Sequence, residues 1–151
     1  MAGVTNRGKY RLLRGYFPNQ SVPTNFYLAL VTAAVAPGPD INTFGELTQI
    51  ATGNGYATGG LSIARNLTDF DVTTEDDTND RALVQLKDMV WTAAGGPIPA
   101  SGAGARYAAL TDDNVTVGSR DLIAHYDLAA DRTVSDGQSL TLQDIEIRLT
   151  D

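Results

Sequence analysis

The sequence predicts a mainly β protein, an antiparallel β-sandwich of about six or seven strands with a short N-terminal helix or arm. Several segments combine apolar alternation with β-branched and aromatic residues, which is typical of strands. Turn residues separate these segments, and helical segments do not alternate with them as a parallel sheet requires. Residues 1–20 form the predicted basic arm, and residues 21–151 form the predicted sandwich domain.

The first predicted element is a short helix over residues 5–17, with Thr5 or Asn6 as its N-cap. Apolar side chains recur on one face at the spacing i, i+3 and i+7: Tyr10, Leu13 and Phe17. Gly15 and Pro18 end the helix. Basic charge near a helix N-terminus opposes the helix dipole, so we expect this segment to be ordered by the surface on which it packs.

The N-terminal segment and the rest of the chain carry opposite charges. Residues 1–20 contain four basic residues and no acidic one, whereas residues 21–151 contain 7 basic and 18 acidic residues. A basic arm of this kind favours docking on an acidic protein surface, either a partner's or that of a neighbouring copy. The predicted interface residues are Arg7, Lys9, Tyr10, Arg11, Leu13, Arg14 and Phe17. The alternative is a solvated helix that happens to be basic.

The next segments are a strand, two loops and a second short strand. Residues 25–32 are apolar on both faces and are predicted to lie inside a sheet. Proline and glycine make residues 33–40 a loop, and residues 42–50 are expected to form one or two helical turns with a capping box. The Gly-rich residues 52–60 match no nucleotide-binding fingerprint, so we interpret them as a loop that needs positive φ. A short strand is predicted over residues 61–66.

An acidic segment, residues 69–80, precedes the longest apolar alternation in the chain. It contains six carboxylates that a hard cation such as calcium can use as ligands: Asp69, Asp71, Glu75, Asp76, Asp77 and Asp80. Their spacing lacks the central glycine and the terminal glutamate of the EF-hand loop. The favoured interpretation is a solvated loop, and cation binding is the alternative.

Residues 81–92 contain the single tryptophan and are predicted to form one interior strand, around which the sandwich is organised. Leu83, Met89 and Trp91 share one side of an extended chain, and alternate residues on the other side are also largely apolar. Residues 93–105 are built almost entirely from Ala, Gly, Pro and Ser. They are predicted to lie as a loop on a surface of this chain or of a partner.

Three more strands complete the predicted sandwich, over residues 106–111, 121–128 and 139–149. In the last of these segments the apolar alternation changes phase at Gln143 and Asp144. An extra residue in one strand of an antiparallel pair reverses the faces that follow it, so we expect a β-bulge at this point.

The sequence contains no recognisable catalytic constellation and predicts that the protein is not an enzyme. Cysteine is absent, and the single histidine, His125, has neither a second histidine nor a nucleophile motif to serve. Asp112 and Asp113 are adjacent, so their side chains point apart in an extended chain and do not form a catalytic pair. We therefore expect no cofactor, no transition-metal site and a structural role for His125.

The composition also limits the class of partner. The longest mainly apolar run, residues 26–36, is shorter than the roughly 20 residues of a membrane span, and no signal-peptide pattern opens the chain. The acidic charge of residues 21–151 disfavours a phosphate-binding surface. Neither a membrane nor a nucleic acid is therefore a predicted partner.

Several phrases of the sequence occur in an order that resembles a known group of proteins. They are PTNFYLALVT, GNGYATGG, EDDTNDRALVQLKDMVWTA, SGAGARYAALTDD and DLAADRTVSDGQSLTLQDIEIRLT. Together they span essentially the whole chain and resemble small virion-associated proteins of tailed bacteriophages, including tail-fibre-like and capsid-decoration proteins. The resemblance implies a place in the virion and assigns no chemical role to individual residues.

The resemblance implies a structural virion protein that is assembled in the host cytoplasm. Most concretely, it implies a capsid cement or decoration protein bound to the major capsid protein or to another virion protein. A site on a lattice symmetry axis implies a dimer or a trimer. Two alternatives stay open. One is a component of the tail, baseplate or fibre, and the other is a host-surface recognition module that binds calcium or carbohydrate, with Tyr56 or Tyr107 as exposed aromatics.

Overall fold

The computed structural model describes residues 2–150, which contain ten β-strands, one α-helix and two 3₁₀ turns. In chain order these elements are β1 Ala2–Val4, α1 Asn6–Tyr16, β2 Asn25–Val31, a 3₁₀ turn at Phe44–Glu46, β3 Leu61–Ala64, β4 Val72–Asp76, β5 Arg81–Leu86, β6 Met89–Thr92, β7 Ala105–Thr111, a 3₁₀ turn at Val117–Ser119, β8 Leu122–Arg132, β9 Ser139–Leu142 and β10 Ile145–Thr150. The mainly β class and the short N-terminal helix are confirmed. The strands are more numerous than the sequence predicts, because two of the predicted strands are each divided in two and two further strands, β1 and β4, are present.

The strands form two layers. The first layer is a five-stranded sheet in the order β1-β8-β7-β2-β3, and all neighbouring pairs in it are antiparallel. The second layer contains a three-stranded sheet, β10-β5-β4, and a two-stranded sheet, β6-β9, which are also antiparallel. This arrangement matches the predicted antiparallel β-sandwich.

The core lies on both sides of the first layer because its central strands are apolar on both faces. On one side, buried side chains of the two layers form one cluster: Leu28, Leu30 and Leu110 come from the first layer, and Leu86, Trp91 and Ile145 come from the second. On the other side, a smaller cluster forms around the first 3₁₀ turn: Ala29, Val31, Phe44, Leu47, Ala109 and Leu122. The expectation that β2 is an interior strand is therefore correct.

The two predicted helical caps are also present. Thr5 is the N-cap of α1, and its Oγ1 accepts a hydrogen bond from the backbone N–H of Gly8 at 2.9 Å. At the 3₁₀ turn, the backbone N–H of Thr43 donates to Oε1 of Glu46 at 2.7 Å, which completes a capping box. These bonds satisfy backbone donors that a helix start otherwise leaves without partners.

The prediction of one continuous strand over residues 81–92 is wrong. The chain forms β5 and β6 in different sheets, with Lys87 and Asp88 between them. The backbone N–H of Lys87 donates to the carbonyl of Asp69, and its Nζ pairs with the Asp69 carboxylate at 2.6 Å. Because these polar groups have partners outside the β5 ladder, the chain leaves one sheet and enters the next.

The prediction that residues 69–80 form only a solvated loop is also wrong. Residues 72–76 form β4, which pairs antiparallel with β5 from Val72 opposite Gln85 to Asp76 opposite Arg81. β-branched residues favour extended backbone, and the salt bridge from Arg81 to Asp76, 2.8 Å long, stabilises the end of the pair. Residues 77–80 form the turn, in which Asp80 has a φ of 47°.

The phase change at residues 143–144 marks a change of sheet rather than a bulge within one strand. β9 pairs with β6, β10 pairs with β5, and Asp144 between them has a φ of 51°.

Two further differences concern the length of β8 and the presence of β1. β8 continues to Arg132, beyond the predicted end at residue 128, and the three-residue β1 pairs with it. Within residues 2–150, the one α-helix is too short and too polar to cross a bilayer.

Candidate protein interface

Helix α1 is fixed to the first layer at its N-terminus. Thr5 is fully buried, and its hydroxyl donates to the backbone carbonyl of Leu122 at the start of β8. The backbone N–H of Thr5 donates to the carbonyl of Ile123 at 3.0 Å. The same residue therefore caps the helix and connects it to the sheet.

Gly8 lets the helix lie directly on the backbone of β8. A Cβ atom at this position would lie 2.2 Å from the carbonyl oxygen of Ile123, which is far inside any allowed contact. The conformation of Gly8 is an ordinary helical one, so glycine is required here by the close approach and not by φ.

Two of the four basic side chains of the arm are neutralised within the chain. Nε of Arg7 lies 3.4 Å from Oδ1 of Asp121, and the guanidinium of Arg11 donates to Oδ2 of the same carboxylate. Arg11 also lies 3.8 Å from Asp112, and burial raises the pKa of that carboxyl group. Both arginines were predicted as interface residues, and the structure places them between the helix and the sheet.

The outer side of α1 carries exposed apolar side chains, which we name the α1 ridge: Tyr10, Leu13, Tyr16 and Phe17. Leu13 is 59% exposed, Tyr16 84% and Phe17 73%. The predicted set Tyr10, Leu13 and Phe17 borders one surface hollow together with Arg14. A contiguous apolar cluster of this kind on a protein surface marks an interaction site more often than scattered apolar residues do.

Two cations accompany the ridge. Lys9 is exposed, and the guanidinium carbon of Arg14 lies 5.8 Å from the ring centroid of Tyr10, within the range of a cation–π interaction. Arg14 also donates to the side-chain oxygen of Gln20 at 3.1 Å. Because Arg7 and Arg11 are paired with Asp121, the surface charge of the arm comes from Lys9 and Arg14.

A cleft opens between the two layers next to α1, and we name it the interlayer cleft. Strands β5 and β10 form one wall of the cleft, and residues that lie opposite each other in this antiparallel pair become more exposed toward the start of β5. Leu86 and Ile145 are buried, Val84 and Ile147 are half-buried, and Ala82 and Leu149 are exposed. The layers therefore separate toward the end of the sheet that carries the hairpin turn, and they enclose a volume of about 600 Å³.

The opposite wall of the cleft comes from the helix and the first layer. Leu12 projects from α1, and Phe26 of β2 meets Phe70 edge to face at a ring distance of 5.6 Å. Polar groups are few: Arg65 and Glu75 carry the formal charges among the side chains that line the cleft. Leu12 also lines the adjoining hollow beneath Tyr16, so ridge and cleft belong to one continuous surface.

The six carboxylates of the acidic segment do not converge. Asp69 lies beside the end of β5, whereas Asp76, Asp77 and Asp80 lie at its beginning, and a six-residue strand separates these ends by about 20 Å. Hydrogen bonds from Asn79 and Arg81 hold the pKa of Asp76 below its usual value. Among residues 2–150, no three histidine or acidic side chains are grouped as a metal site. Cation binding stays a prediction without a preformed site.

The other singled-out residues have structural surroundings. His125 is half-buried opposite Gly3 in the β1–β8 pair, and burial lowers its pKa. Tyr56, expected as an exposed aromatic, is 2% exposed, and its hydroxyl accepts from the N–H of Leu30 at 2.9 Å. Tyr107 is half-buried beside Arg106. Tyr56 is therefore unavailable to a carbohydrate.

Three of the four ridge residues, Tyr10, Leu13 and Phe17, were predicted from the sequence, whereas Tyr16 and the cleft were not. The ridge follows a helical period that is visible in one segment, whereas the cleft combines residues from α1, β2, β5 and β10. The alternating apolar residues of the closing strand, Ile145, Ile147 and Leu149, were the signal available in the sequence. Alternation alone does not show which of these side chains a facing layer covers. No protein-family model matches the sequence, and a search of curated proteins finds no match either.

Proposed function

We propose that this protein is a non-enzymatic structural component of a tailed-phage virion, most concretely a decoration protein that binds the assembled capsid shell. The proposal starts from the order of phrases in the sequence, and the α1 ridge is the structural observation that supports it. Leu13, Tyr16 and Phe17 are held in water on a well-anchored helix. Such an arrangement suits a surface that is covered when the particle assembles.

The anchoring of α1 favours binding because the interface is organised in advance. The Thr5 cap, the close contact at Gly8 and the ion pairs of Asp121 hold the helix before any partner arrives. Little conformational entropy is then lost on association. Apolar burial contributes about 25 cal/mol per Å², so a few ridge side chains give a weak contact that becomes effective through many copies on a lattice.

Decoration stabilises a shell by linkage. A protein that binds only the assembled lattice shifts the equilibrium toward that lattice by mass action. The small-residue loop of residues 33–40 provides further contact surface beside the N-terminus of α1, where the backbone N–H of Asn6 donates to the carbonyl of Pro39. The loop of residues 93–105 lies at the other end of the first layer, where Ala105 pairs with Arg132 of β8. The partner in this proposal is the major capsid protein or another virion protein, with the decoration protein assembled in the host cytoplasm and present in the virion.

A tail, baseplate or fibre component is the second candidate within the same class. The ridge suits either location, because both present repeated protein surfaces. Copy number separates them: shell decoration saturates at hundreds of copies per particle, whereas a tail component saturates at a few copies or a few tens.

The test is co-sedimentation of the purified protein with capsids stripped of accessory proteins and, separately, with purified tails. The expected result is saturable binding to shells, with the bound copies counted by quantitative gel. Leu13→Asp with Phe17→Asp should reduce binding at least about tenfold, because two carboxylates would be buried at an apolar contact. Val115→Asp is the matched control, since Val115 is 96% exposed and lies outside the ridge. Binding only to tails, or to neither particle, would reject the decoration role.

A further inference from the structure

We propose that the α1 ridge of one copy of this chain occupies the interlayer cleft of a second copy, whose ridge occupies the cleft of the first. The inference rests on the proposed role of the ridge as an interface, and it names a second copy as the occupant of that surface in the free protein, which the shell then replaces on assembly. In the single chain the apolar ridge is exposed and the apolar cleft is open. In this arrangement each ridge fills the cleft of the other copy and is covered by it.

The cleft requires an apolar occupant. Its walls include Val84, Ile147, Phe26 and Phe70, and its mouth exposes Leu149. A volume of about 600 Å³ accommodates side chains from one helical face rather than a whole helix, whose diameter with side chains is about 10–12 Å. Tyr10, Leu13 and Phe17 are side chains of the required kind, and they stand out from a helix that is already fixed.

The carboxylates on and near the cleft favour an apolar occupant that also carries basic side chains. Glu75 lines the cleft, and Asp71, Asp77 and Asp80 lie on the same acidic segment. None of these four carboxylates forms an ion pair within the part of the chain that the structure describes. The cleft itself contributes one basic side chain, Arg65, against these four carboxylates. The ridge brings Lys9 and Arg14 beside its apolar residues, and so provides further cations for them.

The position of the two features makes a reciprocal pair feasible. Leu12 lines both the cleft and the hollow next to it. That hollow extends past Tyr16 and Gly15 to Gln20. Gln20 also borders the ridge. Ridge and cleft therefore lie side by side on one surface. A two-fold axis through such a surface brings each ridge opposite the other copy's cleft, which gives a closed, isologous dimer.

The test uses the isolated full-length chain, with mass measured by light scattering after size-exclusion chromatography over a concentration series. The wild-type protein should have twice the chain mass of 16.0 kDa. Arg14→Glu and Glu75→Arg should each weaken the dimer by about tenfold or more, because each places like charges at both contacts. Both positions are on the surface, so circular dichroism and thermal unfolding should match the wild type.

Mixing the two variants is the decisive step. In a mixed dimer, the new acid at position 14 faces the new base at position 75, and the unchanged Arg14 faces the unchanged Glu75. Dimer affinity should therefore return to within about threefold of the wild-type value in the equimolar mixture. Val115→Asp serves as the control for adding a surface charge, and it should leave the dimer unchanged.

Several outcomes would overturn the inference. They are a wild-type protein that stays monomeric at high concentration, variants that dimerise normally, and a mixture that stays dissociated. A monomer whose cleft binds an anionic apolar dye would instead indicate a small amphiphile as the occupant, held through Arg65. Since no virion component is present, a failure of self-association is distinguished from a failure of particle binding.

Discussion

Asp69 is the side chain that connects the two layers beside the closed end of the cleft. Its Oδ2 accepts from the backbone N–H of Ala64 at the end of β3, at 2.7 Å. Its Oδ1 pairs with Nζ of Lys87, which follows β5, at 2.6 Å. The hydrogen bond from Lys87, followed by that from Ala64, holds the pKa of Asp69 below its usual value of 3.8. One carboxylate therefore bridges the first layer and the second.

Replacing Asp69 with Asn should remove a pH-dependent part of the stability. A lowered folded-state pKa stabilises the protein above pH 3.8, and this contribution is lost as pH falls from 3.8 through the folded-state pKa. Lys87 is partly exposed, so we expect a loss of about 1–2 kcal/mol at neutral pH and a smaller difference at low pH. Urea unfolding of the wild type and the variant, at neutral pH and at low pH, measures these differences in the free energy of unfolding. The control is Asp131→Asn, because Asp131 is exposed; an equal loss for that variant would contradict the role of Asp69.

Arg120 illustrates what a sequence cannot predict at this scale. It is buried and forms no ion pair within residues 2–150. Its guanidinium carbon lies 3.7 Å from the ring centroid of Tyr27, and its nitrogens donate to the carbonyls of Gly59 and Asn114. Its partners are backbone atoms and a ring face, which no spacing of charged residues reveals. The N-cap at Thr5, in contrast, was predictable because a cap acts within four residues of its own helix.

The docking of α1 on β8 depends on the space at Gly8. Gly8→Ala would place a methyl group against the carbonyl of Ile123, and the helix would have to move away from the strand. We expect a loss of about 1–3 kcal/mol, although alanine is the better helix former. Urea unfolding measures the loss. Relative to the wild type, hydrogen exchange in the variant should become faster in residues 6–16 and change less in β2 and β7.

Gly38→Ala is the matched control for this change. A Cβ at Gly38 meets nothing within 4 Å, so the substitution should leave stability within about 0.5 kcal/mol of the wild type. A Gly8→Ala protein as stable as the Gly38→Ala protein would show that the helix is not held by this contact.

Elements were predictable where their own residues decide the structure. Strands β2, β3 and β7 were found close to their observed ends, since β-branched and apolar runs favour extended backbone in any context. The split between β5 and β6 was not predictable, because it depends on the partner that Lys87 finds in Asp69. β4 was missed for a similar reason: its residues are exposed, and pairing with β5 rather than burial makes them a strand.

At the scale of the whole molecule, two elements connect the arm to the body. β1 extends the five-stranded sheet, and α1 lies against β8. Both hydrophobic clusters, however, are built from residues after position 25. The cleft was not predictable because it depends on the angle between two layers, which no single segment determines. The ridge was predictable because it belongs to one helix.

Deleting residues 2–17 should therefore leave a folded domain that no longer attaches to its particle or to a second copy. The hydrophobic clusters remain, so we expect a cooperative thermal transition and a far-ultraviolet spectrum dominated by strands. Stability should fall by roughly 1–3 kcal/mol, because β8 loses the hydrogen bonds to β1 and Asp121 loses both cations. Thermal unfolding and light scattering measure both parts of the prediction. A deletion protein without a cooperative transition would mean that the arm belongs to the fold, whereas one that still dimerises would mean that the ridge is not the interface.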